Sequence, residues 1–76
     1  PNPSRDIFNV SFVSDEVQNL KIRIVNLLGE AVFVDEKEKF IGQYSKAFNL
    51  NTYSKGIYML EIETNSGVVN KKLILQ

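Results

Sequence analysis

The segment Tyr53-Ser54-Lys55-Gly56-Ile57-Tyr58-Met59-Leu60-Glu61-Ile62-Glu63-Thr64-Asn65-Ser66-Gly67-Val68-Val69-Asn70-Lys71-Lys72-Leu73-Ile74-Leu75-Gln76 decides how this chain folds. Two runs rich in β-branched and aromatic residues flank a turn at Asn65-Ser66-Gly67, the pattern of a β-hairpin. In the first run Tyr58, Leu60 and Ile62 point to one side, and Met59, Glu61 and Glu63 to the other. A two-residue loop of Ser66 and Gly67 sets Leu60 opposite Leu73 and Glu61 opposite Lys72. A three-residue loop sets Leu60 opposite Lys72 and carries charge onto the buried face. The shorter loop is therefore expected, because a one-residue slip turns every side chain over. Lys71 is the residue that this register leaves unexplained, since it shares a face with Val69 and Leu73.

The order Tyr53-x-x-Gly56-x-Tyr58 matches the way a Greek-key sandwich enters its next-to-last strand. There a tyrosine hydroxyl bonds back to the backbone a few residues upstream. Gly56 supplies the positive φ that such a corner needs at no steric cost. The same residues also fit a glycine-started strand carrying an ordinary buried tyrosine.

Upstream of this hairpin, Ile7 to Phe12 alternates with Phe8, Val10 and Phe12 on one face and Asn9 and Ser11 on the other. Ser14-Asp15-Glu16 reads as a loop. Leu20 to Val25 alternates again, with Leu20, Ile22 and Ile24 inward and Lys21 and Arg23 outward. Asn26-Leu27-Leu28-Gly29 fits a tight turn opened by Asn and closed by Gly. Its two leucines are expected to fold back on the core, the alternative being a docking knob. Ala31 to Val34 gives a third strand and Tyr44 to Leu50 a fourth, with Phe48 and Leu50 on one side. Between them Asp35 to Lys39 mixes charge signs, as in a solvated connection or a protected edge strand. Phe40 and Ile41 are expected to dip toward the core before Gly42, forming a seventh strand beside six clearer ones. No helical period of useful length occurs. Short strands with turns every eight to twelve residues predict an all-β fold, an immunoglobulin-like antiparallel β-sandwich of Greek-key type.

With 76 residues the chain is expected to be one domain, 1–5 forming a linker edge of breakers and 7–76 the sandwich. A chain of this size buries only about 60–65% of its unfolded surface. It contains no Cys and no His, which removes disulfides, thiolate metal sites and imidazole chemistry. A formal net charge of zero argues against a nucleic-acid footprint or a polybasic membrane patch. No apolar run approaches the ~20 residues of a membrane span. No signal peptide is present within these residues, so if the domain is exported the signal is expected in sequence that precedes Pro1, making this chain a piece of a larger secreted protein.

Enzymatic readings find few groups to work with, and no catalytic, cofactor or metal site is expected. Glu61 and Glu63 share a strand face about 6.5–7 Å apart, yet they also fit a wet sheet face balanced by Lys72. Asp35, Glu36 and Glu38 are candidate weak calcium ligands, opposed by the interleaved lysines and lacking EF-hand spacing. Two features exceed what a purely structural account needs. Ile57, Met59 and Ile74 form an apolar strip on the outer face of the hairpin, of the kind that can mark a partner surface. Lys71-Lys72-Leu73-Ile74-Leu75-Gln76 ends the sequence on a strand, which offers a sheet edge for strand addition. Both features also fit strands that simply complete the sandwich.

Pro1-Asn2-Pro3, then Asn26-x-x-Gly29-Glu30 with Val32, then Gly56-Ile57-Tyr58, then Lys71-Lys72-Leu73-Ile74 occur in order along the whole chain. Together these residues resemble the C-terminal sorting domain of the type IX secretion system of Bacteroidetes. Many members carry Gly near the position of Asp6 and Leu at that of Tyr53, so the turn at Arg5-Asp6 departs from the family pattern.

The resemblance implies a cargo label rather than a catalyst. The preceding cargo domain is exported to the periplasm, and the folded label is recognised by the outer-membrane translocon. A surface sortase then removes it at or before Pro1 and attaches or releases the cargo at the cell surface. The resemblance places recognition in Gly56 through Gln76, and Gly56, Ile57, Met59, Lys71, Lys72, Leu73, Ile74, Leu75 and Gln76 are the candidate residues. The domain is expected to be monomeric, to bind no nucleic acid and to insert into no membrane. A rival is a carbohydrate-binding or adhesion module, which would need exposed aromatics, whereas Tyr44, Tyr53 and Tyr58 all have buried places in the pattern. An adhesion repeat predicts sequence continuing after Gln76, whereas a sorting label predicts a stop codon there.

Overall fold

The computed structural model describes residues 6–76. Pro1, Asn2, Pro3, the linker edge 1–5 and half of the Arg5-Asp6 turn lie outside the described residues. Regular structure consists of four strands, β1 (Ile7–Val25), β2 (Ala31–Asn49), β3 (Gly56–Thr64) and β4 (Gly67–Leu75). All pair antiparallel in one sheet of order β2-β1-β3-β4.

The all-β expectation holds, but the seven short strands of an immunoglobulin-like Greek key are replaced by four. The segments Ile7–Phe12 and Leu20–Val25 are the two halves of β1. Those around Ala31–Val34 and Tyr44–Asn49 are the two halves of β2. Ser14-Asp15-Glu16 stays within β1, and Phe40 pairs with Gln18 inside β2, so neither a loop nor a separate seventh strand forms there. The cause is a pair of register shifts, between Ser14 and Gln18 and between Gln18 and Leu20. Bulges of this kind bend a strand without ending its ladder. Side chains hold the bend: Ser14 Oγ donates to the Glu16 carbonyl at 2.7 Å and Gln18 Nε2 donates to Ser14 Oγ at 2.7 Å. On the facing strand, Lys39 takes a φ of 52°, and its N–H donates to Asn19 Oδ1 at 3.0 Å.

The bend folds the β1–β2 hairpin over on itself. Fully extended, Asp35 and Tyr44 would lie about 30 Å apart, yet Tyr44 Oη donates to Asp35 Oδ2 at 2.7 Å. Phe33 and Phe48, from the two halves of β2, meet edge to face with centroids 4.6 Å apart. One continuous sheet thus supplies two facing layers. The wide layer contains 20–25, 31–37, β3 and β4; the narrow layer contains only 7–14 and 42–49. Between them Val10, Tyr44 and Phe48 pack against Leu20, Ile22, Ile24, Tyr58, Leu60, Leu73 and Leu75 in one cluster. Each large apolar side chain buried there stabilises the fold by roughly 1.5–3 kcal/mol relative to exposure. Phe40 packs against this cluster, whereas Ile41 faces solvent.

The β3–β4 hairpin forms with a two-residue displacement from the expected register. Thr64 pairs with Gly67, so the loop is Asn65-Ser66, and Leu60 stands opposite Lys71 rather than Leu73. Glu61 stands opposite Asn70 rather than Lys72, and Lys72 opposite Met59. Thr64 Oγ1 accepts the Ser66 N–H at 3.1 Å and tightens this loop. A shift of two keeps every side chain on its face. A lysine opposite Leu60 is tolerated because the narrow layer does not extend over this part of β4, and Lys71 remains exposed.

Candidate functional site

Two separated motif segments converge at one end of the wide layer. Asn26 organises the β1–β2 turn: its Oδ1 accepts the N–H groups of Leu28 at 2.9 Å and Glu30 at 3.0 Å. Its Nδ2 donates to Glu30 Oε1 at 2.9 Å, and backbone bonds from Asn26 N to Glu30 O and from Gly29 N to Asn26 O close the ring. Gly29 turns at a φ of 85°, where a side chain is disfavoured. The result is a braced loop with Leu27 and Leu28 77% and 84% exposed, so they do not fold back on the core as expected. The knob is the geometry adopted.

Beside this loop lies the predicted corner. Tyr58 Oη donates to the Ser54 carbonyl at 2.6 Å, four residues upstream. Gly56 enters β3 at a φ of 142°, which other residues rarely adopt. Tyr53, expected to be buried, is exposed, and its hydroxyl donates to the Val32 carbonyl at 3.2 Å. Its bond ties the corner to β2, and the sequence offered no signal for this partner. Asn26, Glu30, Val32, Tyr53, Gly56 and Tyr58 border one open hollow of about 470 Å³. The hydrogen bonds described there brace the turn and the corner.

The second surface is the β3–β4 hairpin itself. Ile57 and Ile74 stand directly opposite each other on the outer face, 39% and 54% exposed, and Met59 follows beside Lys72. Leu73 and Leu75 are buried in the core and present little surface, while Gln76 is exposed. On the inner face, Lys71 and Val69 border a groove of about 740 Å³ between β4 and the first half of β1.

The titratable groups take structural partners. Arg23 Nε and Nη2 donate to Glu61 Oε1 at 3.0 and 2.7 Å, so Arg23 rather than Lys72 balances that carboxylate. Asp35 accepts from Tyr44 and has Lys46 Nζ 3.7 Å away. The Tyr44 hydrogen bond, foremost, with help from Lys46 and Lys37, holds the Asp35 carboxyl below its ordinary range against the opposing effect of burial. Burial, then the hydrogen bond to Asp35, pushes the Tyr44 phenol above its own. No group of three acidic side chains able to hold a metal ion is present among the described residues.

A protein-family model described as the secretion system C-terminal sorting domain matches residues 1–76. The chain belongs to the type IX C-terminal sorting domains. No curated protein and no solved structure is matched. As a sorting domain it implies a secreted protein that passes the outer membrane and engages the type IX machinery. Within the sorting domain, the motif residues Asn26, Gly29, Glu30, Gly56 and Tyr58 meet at the corner. Lys71, Lys72, Leu73 and Ile74 line the groove at the other side of the hairpin.

Proposed function

We propose that this sorting domain acts as a non-catalytic address, directing the protein that carries it through the type IX translocon. A surface sortase then removes it and the cargo is attached or released outside. The observation that carries this reading is the family match along all 76 residues. Its support in the site is that the motif side chains brace turns instead of converging on a reactive centre. Recognition uses the exposed residues Gly56, Ile57, Lys71, Lys72, Ile74 and Gln76 together with the half-buried Met59, with Leu73 and Leu75 anchoring β4 from within. Lys71 and Lys72 supply electrostatic selectivity, since neither takes part in an ion pair among the described residues. The carbohydrate-binding alternative has weaker support, because Tyr44 and Tyr58 are buried and only Tyr53 remains to stack on a sugar.

The test is a reporter fused ahead of the domain in a host with the type IX machinery. Reversing both charges, Lys71→Glu with Lys72→Glu, should block surface delivery while the melting temperature stays unchanged. Normal delivery of that variant would remove the electrostatic reading, and normal delivery after deletion of the whole domain would remove the sorting function.

A further inference from the structure

The two layers do not match in width. The wide layer spans four strand positions and the narrow layer two, a deficit of roughly 10 Å at the usual strand spacing. That deficit falls over β3 and β4. Val69, on the inner face opposite Ile62, is 66% exposed, as the strand above it is missing. β3 pairs with β1 only along Lys21–Val25. Along 7–14, therefore, β1 pairs with β2 on one side and with no strand on the other among the described residues. Its unpaired edge borders the groove, whose floor is Leu60, Ile62, Val69 and Leu73 and whose wall is Phe8, Val10 and Phe12. Unpaired edges above an apolar floor template strand addition.

Charge narrows the choice of occupant. Lys71 stands on the inner face opposite Leu60, and no carboxylate pairs with it among the described residues. The described lysines and arginine that do form ion pairs are Lys21, Arg23, Lys46 and Lys55, all away from this groove. A wholly apolar occupant would cover the Lys71 ammonium without compensating it, which is costly. We infer that the groove accepts an extended strand from a partner protein, added antiparallel or parallel to the free edge of β1 at 7–14. Its inward side chains are apolar, except for one Asp or Glu that meets Lys71. This deepens the reading of the domain as a recognised address: the recognising element is an acidic-apolar strand, and the groove, beside the hairpin's outer face, is where it seats.

The experiment uses the isotope-labelled domain and two synthetic eight-residue strands. Both alternate threonine with valine; one carries a glutamate on its valine face and the other a lysine at the same place. The glutamate strand should shift amide resonances of 7–14 and Val69, slow hydrogen exchange along 7–14, and bind at least tenfold more tightly than the lysine strand. Lys71→Glu, at an exposed position that leaves the fold intact, should invert that preference. Equal binding of both strands, or shifts confined to the outer face at Ile57 and Ile74, would overturn the inference. So would a Lys71→Ser variant that self-associates while binding a neutral strand as well as the parent binds the glutamate strand, because the lysine would then only guard the edge. These outcomes are read on the purified domain. Failure here with intact reporter delivery rejects the groove, whereas normal delivery after deletion of the whole domain rejects the sorting function itself.

Discussion

Tyr44 and Asp35 belong to one strand, nine positions apart, yet the phenol of the first donates to the carboxylate of the second at 2.7 Å. That bond fastens the two layers at the point where β2 folds over. Asp35 titrates below its ordinary value of 3.8 and Tyr44 above its ordinary 10.0. For the carboxyl, depressed on folding, the stabilisation is present above about pH 4 and is lost as pH falls through the folded value. For the phenol, raised on folding, it is present below about pH 10 and is lost as pH rises beyond that toward the folded value. Urea unfolding across pH should show a plateau with a fall on each side. Tyr44→Phe should lower the plateau by about 1.5–3 kcal/mol and abolish the part of the alkaline fall due to Tyr44. An unchanged alkaline limb would show that the phenol does not couple to folding.

Phe48 is fully buried, meets Phe33 edge to face, and carries Lys46 Nζ 5.9 Å above its ring. It joins the layers across the core, so Phe48→Ala should cost about 3–5 kcal/mol. For a domain this small that is most of the available stability, and circular dichroism should show a chain largely unfolded at room temperature. Phe48→Leu should retain a cooperative transition with a lower midpoint.

At Gly56 the backbone, rather than the surroundings, forbids a side chain. A Cβ there would meet nothing within 4 Å, but the φ of 142° is one that L-residues avoid. Gly56→Ala should therefore destabilise by about 1–3 kcal/mol, with the loss of Tyr58 corner packing visible as a shifted tyrosine fluorescence. A neutral result would mean that the corner relaxes without strain.

Leu27 and Leu28 project from a loop braced by Asn26. Replacing both with serine should change stability by no more than about 0.5 kcal/mol, as expected of solvated positions. Asn26→Ala, which removes the acceptor for two N–H groups, should cost more, about 1–2 kcal/mol. Denaturant midpoints of the two variants separate display from bracing.

Much of this architecture was legible because alternation is a local signal. Leu20, Ile22 and Ile24 against Lys21 and Arg23, or Tyr58, Leu60 and Ile62 against Met59, Glu61 and Glu63, announce their faces unaided, and the Gly56-x-Tyr58 spacing announced its corner. The continuity of β1 and β2 was not legible. Polar residues at a bulge, Ser14 to Glu16 and Asp35 to Lys39, look the same as polar residues in a loop, and only ladder pairing tells them apart. Alternation is likewise blind to a slip of two, which is why the hairpin's parity was readable and its loop was not. Lys71 stood out in the sequence as a charge on the wrong face. The groove that accounts for it depends on the relative widths of two layers, a property that no short stretch encodes. The Tyr53–Val32 bond and the Asp35–Tyr44 fastening are long-range in the same sense and left no local trace.

The placement of β1 between β2 and β3 also governs how fast the domain can assemble. Ile7 waits for Asn49 and Val25 for Met59, and only the end of the central strand next to the turn, where Val25 meets Ala31 and Ile24 meets Phe33, is satisfied by near neighbours in the chain. Proteins built on such distant pairings fold on the scale of milliseconds to seconds, because loop closure must precede the contacts that reward it. Stopped-flow refolding should fall in that range; relaxation within microseconds would be incompatible with the pairing seen. A slow folder of this kind stays extended for a while after synthesis, before its shape is set.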